Sequence, residues 1–325
     1  ISTFFSLASC ISKFHCNFVT AMIELSVLIP TYNDAVFSQV CTLHRQLETL
    51  SATNGLHYEI IVVDDCSTDE MIRQENEQIL QLSRCRLVCE SQNMGRAASR
   101  NRLAKEAQFQ WLLFVDAALF IPDGFVEGYV RHIGAALVVC GGCAVDRQSH
   151  PKGLRYKYEL DSLPRFSATS RSKTPFRSFR TNNFMIAREL LLDHSMQSDI
   201  RTYGYEDVLF GKTLEQVGVT ILHIDNPVIY RLLENNTQYI NKVVESIHTL
   251  YVYRDQLIGY SPLLDGVEKL CRMHLVKQAR WLYSVVDPII RHNLIGKNPS
   301  LLLFKVFKIG TYLQLSKAAL HNTTT

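Results

Sequence analysis

The chain has 325 residues, of which 47% are hydrophobic and 20% charged. That composition excludes a disordered, collagenous or coiled-coil protein and suits one large domain with an appendage. The net charge of +3 is no global signature of a nucleic-acid partner, and nucleic acid is not expected. Nine scattered cysteines, an odd number, are not a secreted disulfide framework and fit a reducing compartment.

No apolar run reaches the ~18 residues that a membrane-crossing helix needs. Residues 1–21 lack a basic lead, and Lys13 and His15 interrupt them, so they make a poor signal peptide. Met22 directly precedes the first strongly patterned segment. The reading therefore takes residues 1–21 as an upstream or disordered extension. It takes 22–236 as the main domain and 237–325 as a C-terminal helical region. Charge is uneven. From Leu263 onward nine Lys/Arg face three acids, a net +6 that leaves −3 for everything before it. A second basic stretch, Arg147 to Thr181, carries nine Lys/Arg against Glu159 and Asp161. Both fit an anionic substrate or a membrane surface, and equally a merely solvated face.

In chain order, Leu25–Pro30 reads as a buried strand ended by proline. Val40, Leu43, Leu47 and Leu50 mark a helix from Phe37. Tyr58–Val63 is a second buried strand, stopped by Asp64-Asp65. Ser67, Thr68 or Asp69 can cap a helix running to about Leu82. Arg86–Cys89 is a third strand, 96–107 a helix, and Trp111–Val115 a fourth strand ended by Asp116. Another helix begins at Pro122, and 136–139 is a further strand. Beyond Ile224 the strand rhythm fades, and 239–258, 263–286 and 299–318 read as helices. Continuous Val/Ile/Leu strands alternating with helices predict an α/β fold with a mostly parallel sheet covered on both faces. In such sheets ligands sit at the carboxyl ends of the strands.

A GxGxxG loop and a GxxxxGK[ST] loop are both absent after the first strand. What remains is carboxylates at strand ends. Asp65 can accept from a base or ribose, and Asp116 can take a ribose hydroxyl or a metal. Glu206-Asp207 precedes a helix, where acids also serve as plain caps.

Ser26–Asn33, Val62–Asp69, Asn93–Asn101 and Phe114–Asp116 come in the order and spacing of family 2 glycosyltransferases. Gly204–Lys212 resembles the later acidic motif of the same enzymes, and the resemblance spans roughly 24–236. It implies the GT-A fold for residues 22–236, as in bacterial polysaccharide biosynthesis. It implies an inverting, hexosyltransferase-like enzyme moving a sugar from a nucleotide sugar, often UDP-linked, to a saccharide or lipid-linked acceptor hydroxyl. It also implies a cytoplasmic location at the inner face of the cell membrane. Carried over, Pro30, Thr31 and Asn33 line the base pocket, Asp65 reads the base, and Arg96 or Arg100 contacts the nucleotide. Asp116 is the first Asp of the DxD motif, near ribose and metal. Asp207 is the general base, supported by Glu206.

Two positions depart from the family. Ala118 stands where a second Asp should bind Mn²⁺ or Mg²⁺, and Tyr230 stands where many relatives place a metal-ligating His. Asp116 is left as the single protein ligand of a weakly held ion. Otherwise metal binding is lost and arginines (Arg231, Arg177 or Arg180) neutralise the diphosphate. The other alternative is a degenerate nucleotide-sugar-binding protein. The lone CxxC at Cys140–Cys143 lacks the second pair a zinc site needs and reads as buried thiols. His223 reads as a core residue. Leu301–Tyr312, set among Lys305, Lys308 and Lys317, is either a basic amphipathic helix on an anionic membrane or a helix packed on the main domain.

Overall fold

The structure is a computed structural model that describes residues 23–146, 153–230 and 234–322. The expectations for residues 1–21 and for Arg231 lie outside the described residues. The strands are β1 (Glu24–Thr31), β2 (His57–Asp64), β3 (Cys85–Cys89), β4 (Trp111–Val115), β5 (Leu119–Phe120), β6 (Val138–Cys140), β7 (Cys143–Val145), β8 (Asn183–Ala187), β9 (Ile221–His223) and β10 (Val228–Tyr230). The helices are α1 (Phe37–Asn54), α2 (Glu70–Glu77), α3 (Arg96–Glu106), α4 (Phe125–Val130), α5 (Leu154–Ser162), α6 (Ala168–Arg171), α7 (Arg188–Asp193), α8 (Glu206–Val217), α9 (Asn236–Val252), α10 (Arg254–Leu257), α11 (Pro262–Arg272), α12 (Val276–Ile295) and α13 (Leu301–Asn322).

The main sheet has the order β3-β2-β1-β4-β8-β6-β9. Strands β1 to β4 run parallel, as their uninterrupted apolar runs predict, because helices cover both faces. Leu25, Val27 and Ile29 of β1 enter one core with Leu43 and Leu47 of α1. Leu28 points the other way, into a second core with Ile61, Leu103 and Phe184. The sequence reading has no strand at 183–187. Strand β8 inserts there, antiparallel to both β4 and β6. A small second sheet, β5-β10-β7, carries Tyr230 beside Leu119 and Val145.

A third core joins Tyr239, Ile240 and Val243 of α9 to Leu294 of α12 and Phe304 and Phe307 of α13. Leu154, Ile200 and Leu209 from the main domain enter the same core, so the C-terminal helices pack directly on it. Helix α13 buries Phe304, Phe307, Tyr312 and Leu313. The segment packs on the main domain along one side, and Leu302 and Val306 remain exposed on the other. Helix α12 approaches it so closely that a Cβ on Gly310 would lie 2.1 Å from the Tyr283 ring.

The single helix expected over 263–286 is corrected to two. His274 has φ +55°, and the Leu275 N–H donates to the Leu270 carbonyl over 2.9 Å. This is the closure that normally uses glycine at the left-handed position. With histidine there, no sequence signal marked the break.

Candidate active site

The carboxyl ends of β1, β2 and β4 open onto a cavity of about 410 Å³. Pro30, Thr31, Asp65, Arg96, Arg100 and Asp116 all line it. Asp65 is buried at the end of β2, and its two carboxylate oxygens accept from the Met94 and Gly95 N–H groups at 2.7 and 2.8 Å. An anion at the start of α3 suits the exposed N–H groups and the dipole there. Gly95 has φ +88°, and a Cβ would lie 3.3 Å from the Arg201 Cα, so glycine permits this close crossing.

Arg100, one turn into α3, is 1% exposed, and its guanidinium donates to Asp116 Oδ1. Asp116 is fixed further by its backbone: its N–H donates to the Asn182 carbonyl, and its carbonyl accepts from Gln39 Nε2. The resemblance left Arg96 and Arg100 open. Both line the cavity, but only Arg100 is locked to Asp116. The Arg96 guanidinium lies over the Tyr203 ring, 4.5 Å from its centroid.

The other expected residues divide. Asn33, at φ +54°, spends its side chain on a loop clamp. Its Oδ1 accepts from the Thr68 and Asp69 N–H groups at 2.8 and 3.1 Å, and its side chain is not on the cavity wall. Glu206 and Asp207 begin α8 after a sharp turn in which Gly204 and Tyr205 both have positive φ. A Cβ on Gly204 would lie 2.9 Å from the Ser246 Cβ, which brings this turn hard against α9. Asp207 lies off the cavity wall, with Oδ2 3.5 Å from Arg180 Nε and Oδ1 accepting from the Val208 N–H. Arg177 is elsewhere, over the Tyr260 ring. Burial pushes the Glu206 carboxyl above its ordinary value of 4.5, and the Asp207 charge adds to this, while Arg96 and Arg100 oppose it.

Sequence reasoning missed Arg201, Thr202 and Tyr203 and, from α9, Lys242 and Glu245, all of which line the cavity. The Tyr203 N–H donates to Glu245 Oε1 at 2.9 Å, and Thr249 Oγ1 donates to the Tyr203 carbonyl at 3.0 Å. Helix α9 thus closes the cavity. The one signal available was the spacing: Lys242 and Glu245, three residues apart, lie away from the buried stripe of Ile240, Val243 and Ile247.

A divalent metal does not fit this donor set. Asp116 already answers Arg100, and Ala118 has no donor atom. The Tyr230 hydroxyl accepts from Asn182 Nδ2 at 2.6 Å, and the Arg155 guanidinium lies over its ring. No group of three His, Cys, Asp or Glu side chains converges among the described residues. His223 is a core residue: its Nδ1 faces the buried Arg171 at 2.7 Å, and burial lowers its pKa to about 4.

The sequence profile of glycosyl transferase family 2 matches residues 26–195, just over half of the chain. The chain belongs to the family 2 glycosyltransferases. It is 32% identical over 100 residues to an uncharacterized glycosyltransferase of Haemophilus influenzae, covering 30% of this chain and 31% of that protein. This chain therefore spans less than a third of that relative's length. Against the succinoglycan biosynthesis protein ExoO of Rhizobium meliloti the identity is 23% over 279 residues, 82% of this chain and 79% of the relative. The mannosyltransferase PcManGT of Pyrobaculum calidifontis, solved with GDP-Man and Mn²⁺, superposes with a TM-score of 0.51 at 16% identity. The superposition covers 99% of this chain and 90% of that chain, and it agrees with the GT-A fold.

Two predictions follow from the charges in this family 2 site. Asp116→Ala leaves the Arg100 charge buried without its carboxylate. The expected cost is roughly 3 kcal/mol, at the lower end for a broken pair because Asp116 is still partly exposed. Adding Arg100→Met should restore most of that in urea unfolding, and a double variant as unstable as the single would refute the account. Native Glu206 also holds its proton more tightly than the unfolded chain does. Its contribution is complete below the unfolded value of 4.5 and is lost as pH rises through the raised native value. Glu206→Gln should abolish that loss, and superimposable stability-against-pH curves for the two proteins would contradict it.

Proposed function

We propose that this chain transfers a sugar from a nucleotide sugar to an acceptor hydroxyl with inversion, and that it does so without a bound divalent metal. The acceptor is a saccharide or a lipid-linked saccharide. The observation that carries this reading is the one cavity wall shared by Asp65, Asp116, Arg96, Arg201 and Lys242 at the strand ends. Asp65 and Asp116 supply acceptors for the base and ribose. Arg96, Arg201 and Lys242 are the cations that meet the diphosphate as its charge develops on departure. A guanidinium offers planar donors to phosphate oxygens where relatives of the family use a cation.

Asp207 is the base in this reading. A displacement at the anomeric carbon needs a carboxylate on the face away from the leaving group to take the hydroxyl proton. Asp207 stands at the start of α8, and Arg180, 3.5 Å away, holds it in place. The engagement of Asp116 by Arg100 also favours a second reading, a nucleotide-sugar-binding protein without turnover. Nucleotide binding with no transfer from any donor would select that second reading.

Asp207→Asn keeps size and polarity but cannot accept the proton. Turnover should fall roughly 10²–10⁴-fold with nucleotide affinity nearly unchanged. Transfer above about a tenth of wild type would remove Asp207 from that role.

Transfer should also survive EDTA, and Arg96→Ala should lower turnover on the order of 10²–10³-fold, as loss of one charge-stabilising donor does. Complete inhibition by EDTA, reversed by Mn²⁺, would show that a metal is required.

A further inference from the structure

Helix α12 is apolar on two faces. Its inner face buries Tyr283, Ile290 and Leu294 against α9 and α13. At about 100° per residue, Trp281, Leu282, Val285 and Ile289 fall together on the outer side. They are 69%, 56%, 58% and 70% exposed. A helix apolar on both sides belongs inside a core or against a membrane, because a water-facing side is normally polar. The exposed apolar surface also extends along the chain. Met273 and Leu275 are exposed at the break before α12, and Leu302 and Val306 are exposed on α13.

Basic residues frame this strip. Residues 269–306 carry seven Lys/Arg (Lys269, Arg272, Lys277, Arg280, Arg291, Lys297 and Lys305) and one acid, Asp287. Asp287 pairs with Arg291 at 2.9 Å, and Glu268, just before this stretch, pairs with Arg272 at 2.6 Å, so five of the seven basic residues carry the net charge. On the helix, Lys277 and Arg280 fall along one edge of the apolar face, with the Arg291–Asp287 pair further along it.

We propose that the outer face of α12 docks this protein on an anionic lipid bilayer, with Trp281, Val285 and Ile289 in the headgroup boundary and the basic edge on the headgroups. Trp and Leu on one side and Lys and Arg on the flank are the arrangement of a helix lying in the interface plane. The charge decides between lipid and a second copy of this chain. A two-fold contact that laid α12 antiparallel on its copy would set one basic edge against another, which repels, whereas anionic headgroups complement the edge whatever the orientation. The inference changes which element leads at the membrane: α12 presents the main apolar face, and α13 adds Leu302 and Val306 beside it. It does not depend on the transfer reaction, and its test reads binding alone.

The test is flotation of the full chain with vesicles of phosphatidylcholine alone and of phosphatidylcholine mixed with phosphatidylglycerol. Binding should occur with the mixed vesicles and weaken as salt rises. Tryptophan emission should shift to the blue and resist acrylamide. Trp111 is buried in β4, so that change reports Trp281. Trp281→Gln with Val285→Gln and Ile289→Gln should lower vesicle affinity on the order of tenfold or more, with an unchanged melting temperature. Lys277→Glu with Lys305→Glu should lower it as well and flatten the salt dependence, which keeps the test open if the triple variant folds poorly. Undiminished binding by both variants would overturn the proposal. So would a concentration-dependent dimer that the triple variant dissolves while no vesicle binds.

Discussion

The guanidinium of Arg100 is almost wholly out of water, and a charge in that position requires an opposite charge beside it. Asp116 is that partner, and much of the site follows from the pairing. It ties the first turns of α3 to the end of β4. Asp65 ties the start of the same helix to the end of β2 through two backbone N–H groups. Two carboxylates from neighbouring strands therefore set the position of α3, and α3 presents Arg96 to the cavity. A carboxylate committed to a guanidinium has less to offer a divalent ion. In the metal-free reading proposed above, Ala118, Tyr230 and the Arg100 pair form one electrostatic arrangement.

Position 230 reinforces this. The Tyr230 hydroxyl is satisfied by Asn182, whose own carbonyl holds the Asp116 N–H. The small sheet of β5, β10 and β7 brings Tyr230 close to the strand end that carries Asp116. A phenol with a neutral amide partner brings no charge to this end of the site. Ala118, at φ +58°, keeps the turn after Asp116 without a donor of its own.

The C-terminal helices belong to the site as well as to the core. Helix α9 supplies Lys242 and Glu245 to the cavity, and Glu245 and Thr249 hold the backbone of Tyr203. The same helix buries Ile240, Val243 and Ile247 among side chains of α12 and α13. Helix α9 is thus packed between the cavity wall and helices α12 and α13. The inner faces of α12 and α13 account for their burial, and among the described residues the outer face of α12, with Leu302 and Val306 of α13 beside it, carries no covering element.

The sequence by itself determined the parallel half of the sheet, the strand-end carboxylates and the family motifs, because these are local. A run such as Leu25–Ile29 must be buried on both faces wherever it lies, and Asp69 caps its own helix, accepting from Met71 and Ile72. Tertiary structure alone decided what depends on partners distant in the chain. It turned Asn33 from the cavity to a clamp on the next loop and locked Arg100, rather than Arg96, to Asp116. It also set Arg177 on Tyr260 and brought Lys242 and Glu245 to the cavity that Asp65 lines, across many intervening residues. The break at His274 was hidden because a non-glycine residue took the left-handed conformation. A residue's type limits what it can bond to; only the packing of non-neighbouring elements decides which bond it makes.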